Sequence, residues 1–564
     1  MMFLHALAAK RNELKEAGDV EGIANLPVAT VFEKASAPGG VWRSNRNDDG
    51  GDSSNGSTNM YEGLWINGHK DGMEFFDYTY KDHFKTPQPV YLPRQRILEY
   101  LLARVTQHEN IFEHVNFNTE VQSVVYDDHA EQFVIRSKND TGLESVQCFD
   151  KCIWAAGQNG RPKMIKDTVD KLSNFKGQIV HSAEMNKLAT DDTNAVKGKH
   201  IVMVGCSYSA EDLALQCVKL GADRISILTR YGSGTACTMG AWPEDKVDII
   251  WYSEIAGVKD SDEKGSTLLL NSLREEYPAC GELEDVSIVI FCTGYIENHH
   301  FLAKNLNPFG VKKKWCLQDI GLNASSWRMA DHPFSKMMGH VEPPNCFETG
   351  VFTYDGLLMN NTNMMIITED GDYPLLEIDV LARSCLAFIT GERQVPTEKE
   401  MKQREQHDLI CMMNDFQERQ KIDKNFENAA NAITIPDNYD TSGDYYGSDE
   451  YIALYPALYS LQYRMLARLM KDTKYPLQLG DIDHLNKVGM ELMRMMSLDC
   501  TNKYRLASCD EETKRWKTYR DCDPSPYRSL ITGMGSVPLK GKWMEIDDDG
   551  NPPTTAMRTE KSMM

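Results

Sequence analysis

The 564-residue chain lacks several marks that would set it apart from ordinary globular proteins. It has no run of about 18 uninterrupted apolar residues, so no membrane-spanning helix is expected. It has no excess of positive charge: 61 Lys and Arg stand against 83 Asp and Glu, and the formal net charge is -22. Nucleic acid and anionic membranes are therefore not expected as main partners. The 14 cysteines include no CxxC pair. That fits reduced cytoplasmic thiols better than a zinc site or disulfide framework, and it disfavours the dithiol flavin reductases. No secretory signal is visible, and the C-terminal TAMRTEKSMM is polar. His299-His300 has no third ligand at suitable spacing, so a surface turn is expected there and no metal. The methionine-rich Met490 to Met496 reads as helical core.

What is present centres on Ile201 to Gln216, IVMVGCSYSAEDLALQ. Ile201 to Val204 are apolar and mostly β-branched, as in a buried parallel strand. Gly205 ends the strand, and a helix is expected from Ser209, with Glu211 and Asp212 near its positive end. Gly205-x-Ser207-x-x-Ala210 is a variant of the Gly-rich dinucleotide motif. Gly205 permits the tight turn, small Ser207 lets backbone amides approach a pyrophosphate, and Ala210 lets the helix sit close to the strand. A generic βα turn is the competing reading. The next strand, Arg224 to Thr229, ends at Arg230, where a cation pairs with the extra phosphate of NADPH. A solvated arginine at a strand end is the alternative.

The N-terminal region shows half of a second such unit. Residues 1–18 read as an amphipathic helix, followed by a strand from Val28 to Phe32 ending at Glu33. An acid at that place holds an adenosine ribose. The strand and GxGxxG that should precede the helix are absent, so the chain reads as N-terminally truncated, with degeneration of the motif as the other explanation. Asn45 to Thr58 is a polar, Gly-rich loop. Asn59 to Tyr80 is dense in aromatics and contains Asn67-Gly68. A helix is expected over Gln95 to Gln107, a hairpin or meander over Asn116 to Ile135, and strands over Asp150 to Gly157 and Ser287 to Phe291. From about Thr397 the pattern is largely helical, broken by Pro436 to Asp449. The charge runs of Phe388 to Met413 read as a solvated face.

Several segments together resemble a known family. Phe175-x-Gly177-x-x-x-His181 is similar to the identifying motif of class B flavoprotein monooxygenases, with Met185 where that motif usually has an aromatic. Cys292-Thr293-Gly294-Tyr295 resembles their hinge, and Glu33-Lys34 with Gly39-Gly40-x-Trp42 their flavin-side stretch. Met60-Tyr61, Leu64-Trp65, Asn67-Gly68, Glu74 to Tyr78, Gly205 to Asp212, Cys292 to Ile296 and Tyr527 to Gly533 follow, in order, the runs of flavin-containing monooxygenases. They are nearest to the bacterial trimethylamine monooxygenase subgroup.

The resemblance implies an α/β fold of two nested Rossmann-like domains, three-layer ββα/αβα, with a helical C-terminal extension. Residues 1–160 and 294–564 would form the FAD-binding domain and residues 161–293 an inserted NADPH-binding domain. The implied chemistry is oxygenation of nitrogen or sulfur in a small amine or sulfide by NADPH and O2, through a C4a-hydroperoxyflavin. Here the cofactor carries the hard step. Asn67 is the implied residue beside the flavin ring, a neutral hydrogen-bond donor. The other implied cofactor contacts are Glu33, Lys34, Gly40, Val41, Trp42, Met60, Val121, Ala156 and Gly157. On the nucleotide side they are Gly205, Ser207, Tyr208, Ser209, Ala210, Thr229, Arg230, Thr293 and Gly294. A homodimer is compatible with the family.

Departures bear on this reading. Without the first GxGxxG the chain as written is expected to bind FAD poorly or not at all, the natural protein being longer. Asp372 stands where the subgroup has a pocket tryptophan, which puts trimethylamine itself in doubt as the substrate. Phe309 to Asn345 and Pro436 to Asp449 read as insertions. A Baeyer–Villiger oxygenase is the enzyme alternative, although its aromatic-tryptophan-proline ending is absent after His181. An NADP-binding protein that has lost FAD is the non-catalytic one.

Overall fold

The computed structural model describes residues 1–43, 60–61, 64, 66–67, 70–85, 92–157, 160–185, 188, 195–230, 242, 245–261, 265–275, 281–296, 301–306, 353–358, 360–368, 373–401, 403–404 and 464–477. The loop at 45–58, Trp65, Gly68, His299-His300, both insertions, Asp372, the methionine run, Tyr527 to Gly533 and most of the helical C-terminal pattern lie outside the described residues.

Helix α1 (Met2–Glu16) is followed by α2 (Val20–Ala24), capped by the Asp19 side chain on the Gly22 amide. Strand β1 is only Val31–Phe32, shorter than the expected Val28 to Phe32. Val28 is 94% exposed, and β-branched composition makes a strand only where a neighbour offers a ladder and a surface. After α3 (Tyr80–Phe84) and α4 (Arg94–Val105) comes β2 (Val115–Asn116), which pairs in parallel with β1. An antiparallel sheet follows, of β3 (Thr119–Asp127), β4 (Gln132–Asn139) and β5 (Glu144–Phe149). Then come β6 (Cys152–Trp154) and the short β7 (Arg161–Pro162).

The central sheet is built from α5 (Lys166–Lys171), β8 (Gln178–His181), β9 (His200–Val204), α6 (Tyr208–Lys219), β10 (Arg224–Leu228), β11 (Val247–Ile250), β12 (Ser253–Ser261), β13 (Ser266–Ser272) and β14 (Glu282–Phe291). Its parallel part runs β8-β14-β9-β10-β11. The two-residue period of β9 explains the layers. Ile201 and Met203 meet Ala210, Leu213, Ala214 and Cys217 of α6 on one face. Val202 meets Ile255, Leu268 and Leu270 of the β12–β13 hairpin on the other. The result is a three-layer ββα unit in which the middle strands are apolar on both faces, as the run IVMV requires.

The chain returns through β15 (Tyr295–Ile296), which pairs with β7, and then β16 (Thr353–Tyr354), β17 (Leu357–Leu358), β18 (Asn361–Ile366) and α7 (Pro374–Ile389). β18 pairs in parallel with β6. Among the described residues the pair β1–β2 and the sheet β16-β17-β18-β6 are separate pieces. Helices α1, α4 and α7 share one core, with Leu4, Leu101 and Ala382 among its members. Buried in this half is a charged cluster. The Arg104 guanidinium bonds the Asp77 carboxylate at 3.0 Å and the Asp379 carboxylate at 3.0 Å, and Tyr475 donates to Asp379 at 2.6 Å. The fold is thus α/β with Rossmann-type parallel sheets.

Candidate functional site

The consecutive strands β9, β10 and β11 fan to one side, while β14 returns on the other side of β9. The chain therefore reverses direction between β9 and β14, which is the switch point where open α/β sheets bind ligands beyond their carboxyl ends. Gly205 sits there with φ +103°, and a Cβ on it would lie 2.4 Å from the Cys292 carbonyl oxygen. Its amide donates to Leu228 O at 2.9 Å, and the Cys292 amide donates to Val204 O at 2.9 Å. Only glycine fits this crossing of three chain segments. Helix α6 starts directly after it. Ser207 is its N-cap but makes no side-chain capping bond, while its carbonyl accepts the Ala210 amide at 3.0 Å and the Glu211 amide at 3.1 Å. That end of the helix favours an anion. Ser207 is exposed, Tyr208 is half exposed, Ser209 is half-buried, and Ala210 is buried against the sheet.

At the tip of β10, Thr229 is buried and its Oγ1 accepts from the Cys206 thiol at 3.0 Å. Arg230 follows and is exposed. Burial pushes the Cys217 thiol up to about 12 and the Cys292 thiol up further, so both stay protonated and neither serves as a thiolate nucleophile.

The structure gives each residue of the Phe175-x-Gly177-x-x-x-His181 motif a task. Gly177 crosses β14 so closely that a Cβ would lie 2.2 Å from the Ser287 carbonyl oxygen, and the Phe175 ring packs over it. The His181 ring donates from Nε2 to the Gly294 carbonyl at 2.9 Å and accepts the Ala183 amide on Nδ1 at 3.2 Å. These partners select the neutral tautomer protonated on Nε2. Burial moves its pKa down, in keeping with that form. The Gly294 carbonyl also accepts the Lys163 amide at 2.9 Å, and Thr293 Oγ1 bonds the Lys163 carbonyl. Thr293 and Gly294 are thus held to both β8 and the strand that enters the central unit.

The segment bearing Asn67 is fixed from two directions. The Ile66 amide donates to Leu92 O at 3.0 Å, and the Arg94 amide donates to Leu64 O at 2.9 Å. On the other side the Tyr61 phenol donates to the Asp212 carboxylate at 2.8 Å, in the first turns of α6. Both groups are buried, and Gln216 Nε2 adds a bond of 2.7 Å to the same carboxylate oxygen. Burial, with Asp212 second, pushes the Tyr61 pKa well above its ordinary value, so the phenol is a fixed donor. Asn67 follows the buried Ile66 and is exposed, and Met60 is half-buried beside Tyr61 in the chain.

On the other dinucleotide half, Glu33 ends β1 with its carboxylate accepting the Ala35 amide at 2.8 Å. Glu33 also lies near the head of α1. An acid beside a helix N-terminus is the arrangement that holds an adenosine ribose and its pyrophosphate. Lys34 turns instead to Glu120, 2.7 Å away on the surface. Gly40, Val41 and Trp42 form a 3₁₀ turn, and Trp42 O accepts from the buried Arg94 guanidinium. Val121 is half-buried at an irregularity between β3 and β4, while Ala156 and Gly157 are exposed just past β6.

Sequence reasoning missed the pairing of Tyr61 with Asp212. These residues are 151 positions apart, and no local pattern links them. Among the described residues no group of three or more His, Cys, Asp or Glu is placed to hold a metal ion. No helix among them is long and apolar enough to cross a membrane.

Residues 24–245 match the model of the flavin-binding monooxygenase-like family. The chain is 32% identical over 286 residues to a trimethylamine monooxygenase of Pelagibacter sp. (strain HTCC7211), covering 50% of this chain and 57% of that protein. It is 26% identical over 400 residues to a trimethylamine monooxygenase of Methylocella silvestris, covering 64% of this chain and 81% of that protein. The first of these matches therefore spans little more than half of the relative's length. The crystal structure of Tmm from Pelagibacter sp. strain HTCC7211 superposes with a TM-score of 0.58 at 21% identity, over 89% of this chain and 90% of that one, which supports the same fold. Motifs in the same order, a glycine-threaded switch point and these relatives agree: residues 24–245 are similar to the flavin-binding monooxygenase-like family, and the chain shares the fold of Tmm.

Proposed function

We propose that the chain is a monooxygenase that uses NADPH, flavin and O2 to oxygenate nitrogen or sulfur in a small nucleophile, an amine or a sulfide. Residues 161–293 would hold NADPH, and residues 1–160 and 294–564 the flavin. The observation that carries this reading is the buried Tyr61–Asp212 bond, which ties the Asn67 segment to the helix beginning at the dinucleotide turn.

The residues present fit a phosphorylated dinucleotide. Gly205 leaves room for nothing but backbone at the crossing, and the α6 amides and dipole face the space beyond it. The pyrophosphate would lie against Ser207, Tyr208 and Ser209, and the 2′-phosphate against Arg230. On the flavin side Glu33 would take the ribose hydroxyls, and the backbone from Gly40 to Trp42 would line the same half. Met60, Val121, Ala156, Gly157, Thr229, Thr293 and Gly294 would be further cofactor contacts on this reading. Lys34 is not needed for this reading, since it pairs with Glu120.

Bound flavin supplies acceptance of electrons from NADPH and activation of O2. The protein's share is placement. His181 and Lys163 fix the hinge by two bonds to one carbonyl. Tyr61, Leu92 and Arg94 fix the segment leading to Asn67. The Asn67 amide donates a hydrogen bond without offering a titrating proton, so it holds a developing negative charge on oxygen without hastening its protonation.

The test begins with the purified protein mixed with FAD, freed of excess by gel filtration and examined for flavin absorbance. NADPH oxidation is then followed with a panel of amines, sulfides and ketones. Flavin retention with amine- or sulfide-stimulated oxidation supports the reading. Stimulation by ketones alone shifts it to a Baeyer–Villiger oxygenase. NADP⁺ binding without flavin retention, at any FAD concentration, leaves a nucleotide-binding protein and overturns the monooxygenase.

A further inference from the structure

The three segments that leave the sheet beside Arg230 bring a second guanidinium to the same edge. The Ser253 amide donates to Thr229 O at 2.9 Å, so the turn after β11 wraps the tip of β10. The Leu273 amide donates to the Tyr252 carbonyl at 2.7 Å, so the end of β13 lies against that turn. Arg230 and Arg274 therefore follow directly on residues lying in three adjacent chain segments. Two such spacings are roughly 10 Å, and the side chains of two arginines span that distance around one phosphate.

Arg274 is exposed but held. Its guanidinium lies over the Tyr252 ring, 4.2 Å from the centroid. The Tyr252 ring is buried, and its backbone is fixed in the left-handed region at φ +50°. The Ser272 hydroxyl bonds both the Arg274 carbonyl, at 2.6 Å, and its amide, at 3.2 Å, closing a tight turn on that residue. In a chain of net charge -22, a cation fixed by an aromatic platform at the carboxyl edge of a nucleotide-type sheet is a site for an anion.

We infer that Arg274, standing on Tyr252, is a second ligand of the 2′-phosphate of NADP and shares with Arg230 the choice of NADP over NAD. The inference rests on the NADPH reading of this edge. It adds a specificity residue 44 positions beyond the strand tip, outside the Gly205 motif and outside the hinge.

The test is calorimetric binding of 2′-AMP, 5′-AMP, NADP⁺ and NAD⁺ to the full chain and to Arg274→Gln, Arg274→Lys and Arg230→Gln, with no turnover needed. A lost charge-assisted contact weakens 2′-AMP and NADP⁺ roughly ten- to hundredfold in Arg274→Gln and leaves NAD⁺ unchanged. Arg274→Lys falls between, because the ammonium keeps the charge and loses the planar fork. If Arg230→Gln loses 2′-AMP and Arg274→Gln does not, the inference is overturned and the NADPH reading stands. If the unmodified protein does not distinguish 2′-AMP from 5′-AMP, both are overturned.

Discussion

Replacing Tyr61 by phenylalanine isolates one buried hydrogen bond at the junction of the two halves. The ring keeps its volume and its place among Leu213, Ala214 and their neighbours, so the change is confined to the phenol oxygen. That oxygen donates at 2.8 Å to a carboxylate that is itself buried. A hydrogen bond to a charged group contributes about 1.5–3 kcal/mol, and the carboxylate left behind stays in a poorly solvated place. A loss of about 2 kcal/mol lowers the melting temperature of a cooperative unit of 150–250 residues by roughly 4–8 °C. Asp212→Asn is the companion change, since an amide oxygen still accepts from the phenol while the charge is gone. Thermal denaturation of both single variants and the double variant gives the coupling. We expect an interaction energy of about 1–2 kcal/mol. In a spectrophotometric alkaline titration, Asp212→Asn should also bring Tyr61 back toward its ordinary value, because the carboxylate is one of the groups holding it up. Single effects that add within about 0.5 kcal/mol would refute the pairing.

Three further outcomes are expected. Gly205→Ala places a Cβ 2.4 Å from the Cys292 carbonyl in a left-handed backbone, at a cost of at least about 1–2 kcal/mol before the clash is counted. NADPH titration should show affinity lowered by more than roughly tenfold, and unchanged affinity would mean the crossing is not close. Arg104→Met strips the guanidinium from the buried Asp379 and should cost about 3–5 kcal/mol in chemical denaturation, a loss under about 1 kcal/mol counting against the cluster. His5 titrates at about 4, lowered from 6.5 first by burial and then by Arg104, with Asp379 and Asp77 opposing and His108 adding to the lowering. Neither of its ring nitrogens has a hydrogen-bond partner among the described residues. The unfolded chain takes up a proton below 6.5 and the folded one does not until about 4. Stability from this group is therefore complete above pH 6.5 and falls by about 3 kcal/mol as pH drops to 4. His5→Phe should flatten that part of a melting-temperature profile, and an unchanged acid slope would assign it to other groups.

The strand–turn–helix around Gly205 was legible because every signal in it is local: a β-branched run, a glycine where the chain turns, small residues on the helix face that meets the strand, and acids in the first helical turn. Helix α4 and the β3–β4 hairpin were legible for the same reason. The family resemblance was carried by short motifs, and it supplied the roles given to Asn67 and the hinge, whereas Arg230 was read from its place at a strand tip. The physical tasks of Gly177 and His181 became visible only with β14 and the hinge alongside. No pattern in Ser253 to Ser272 announced that a hairpin, and not a helix, covers one face of the central sheet. Val28 belongs by composition to a strand and is exposed, because only Val31 and Phe32 have a neighbour to pair with. Lys34 sits in a motif and turns to Glu120. The residues that join the two halves, Tyr61 with Asp212 and His181 with Gly294, are more than a hundred positions apart. Local sequence determines backbone preference and which side of an element is apolar. Which donor meets which acceptor across such distances is decided by packing, since only the folded chain removes water from both groups at once and makes their pairing obligatory.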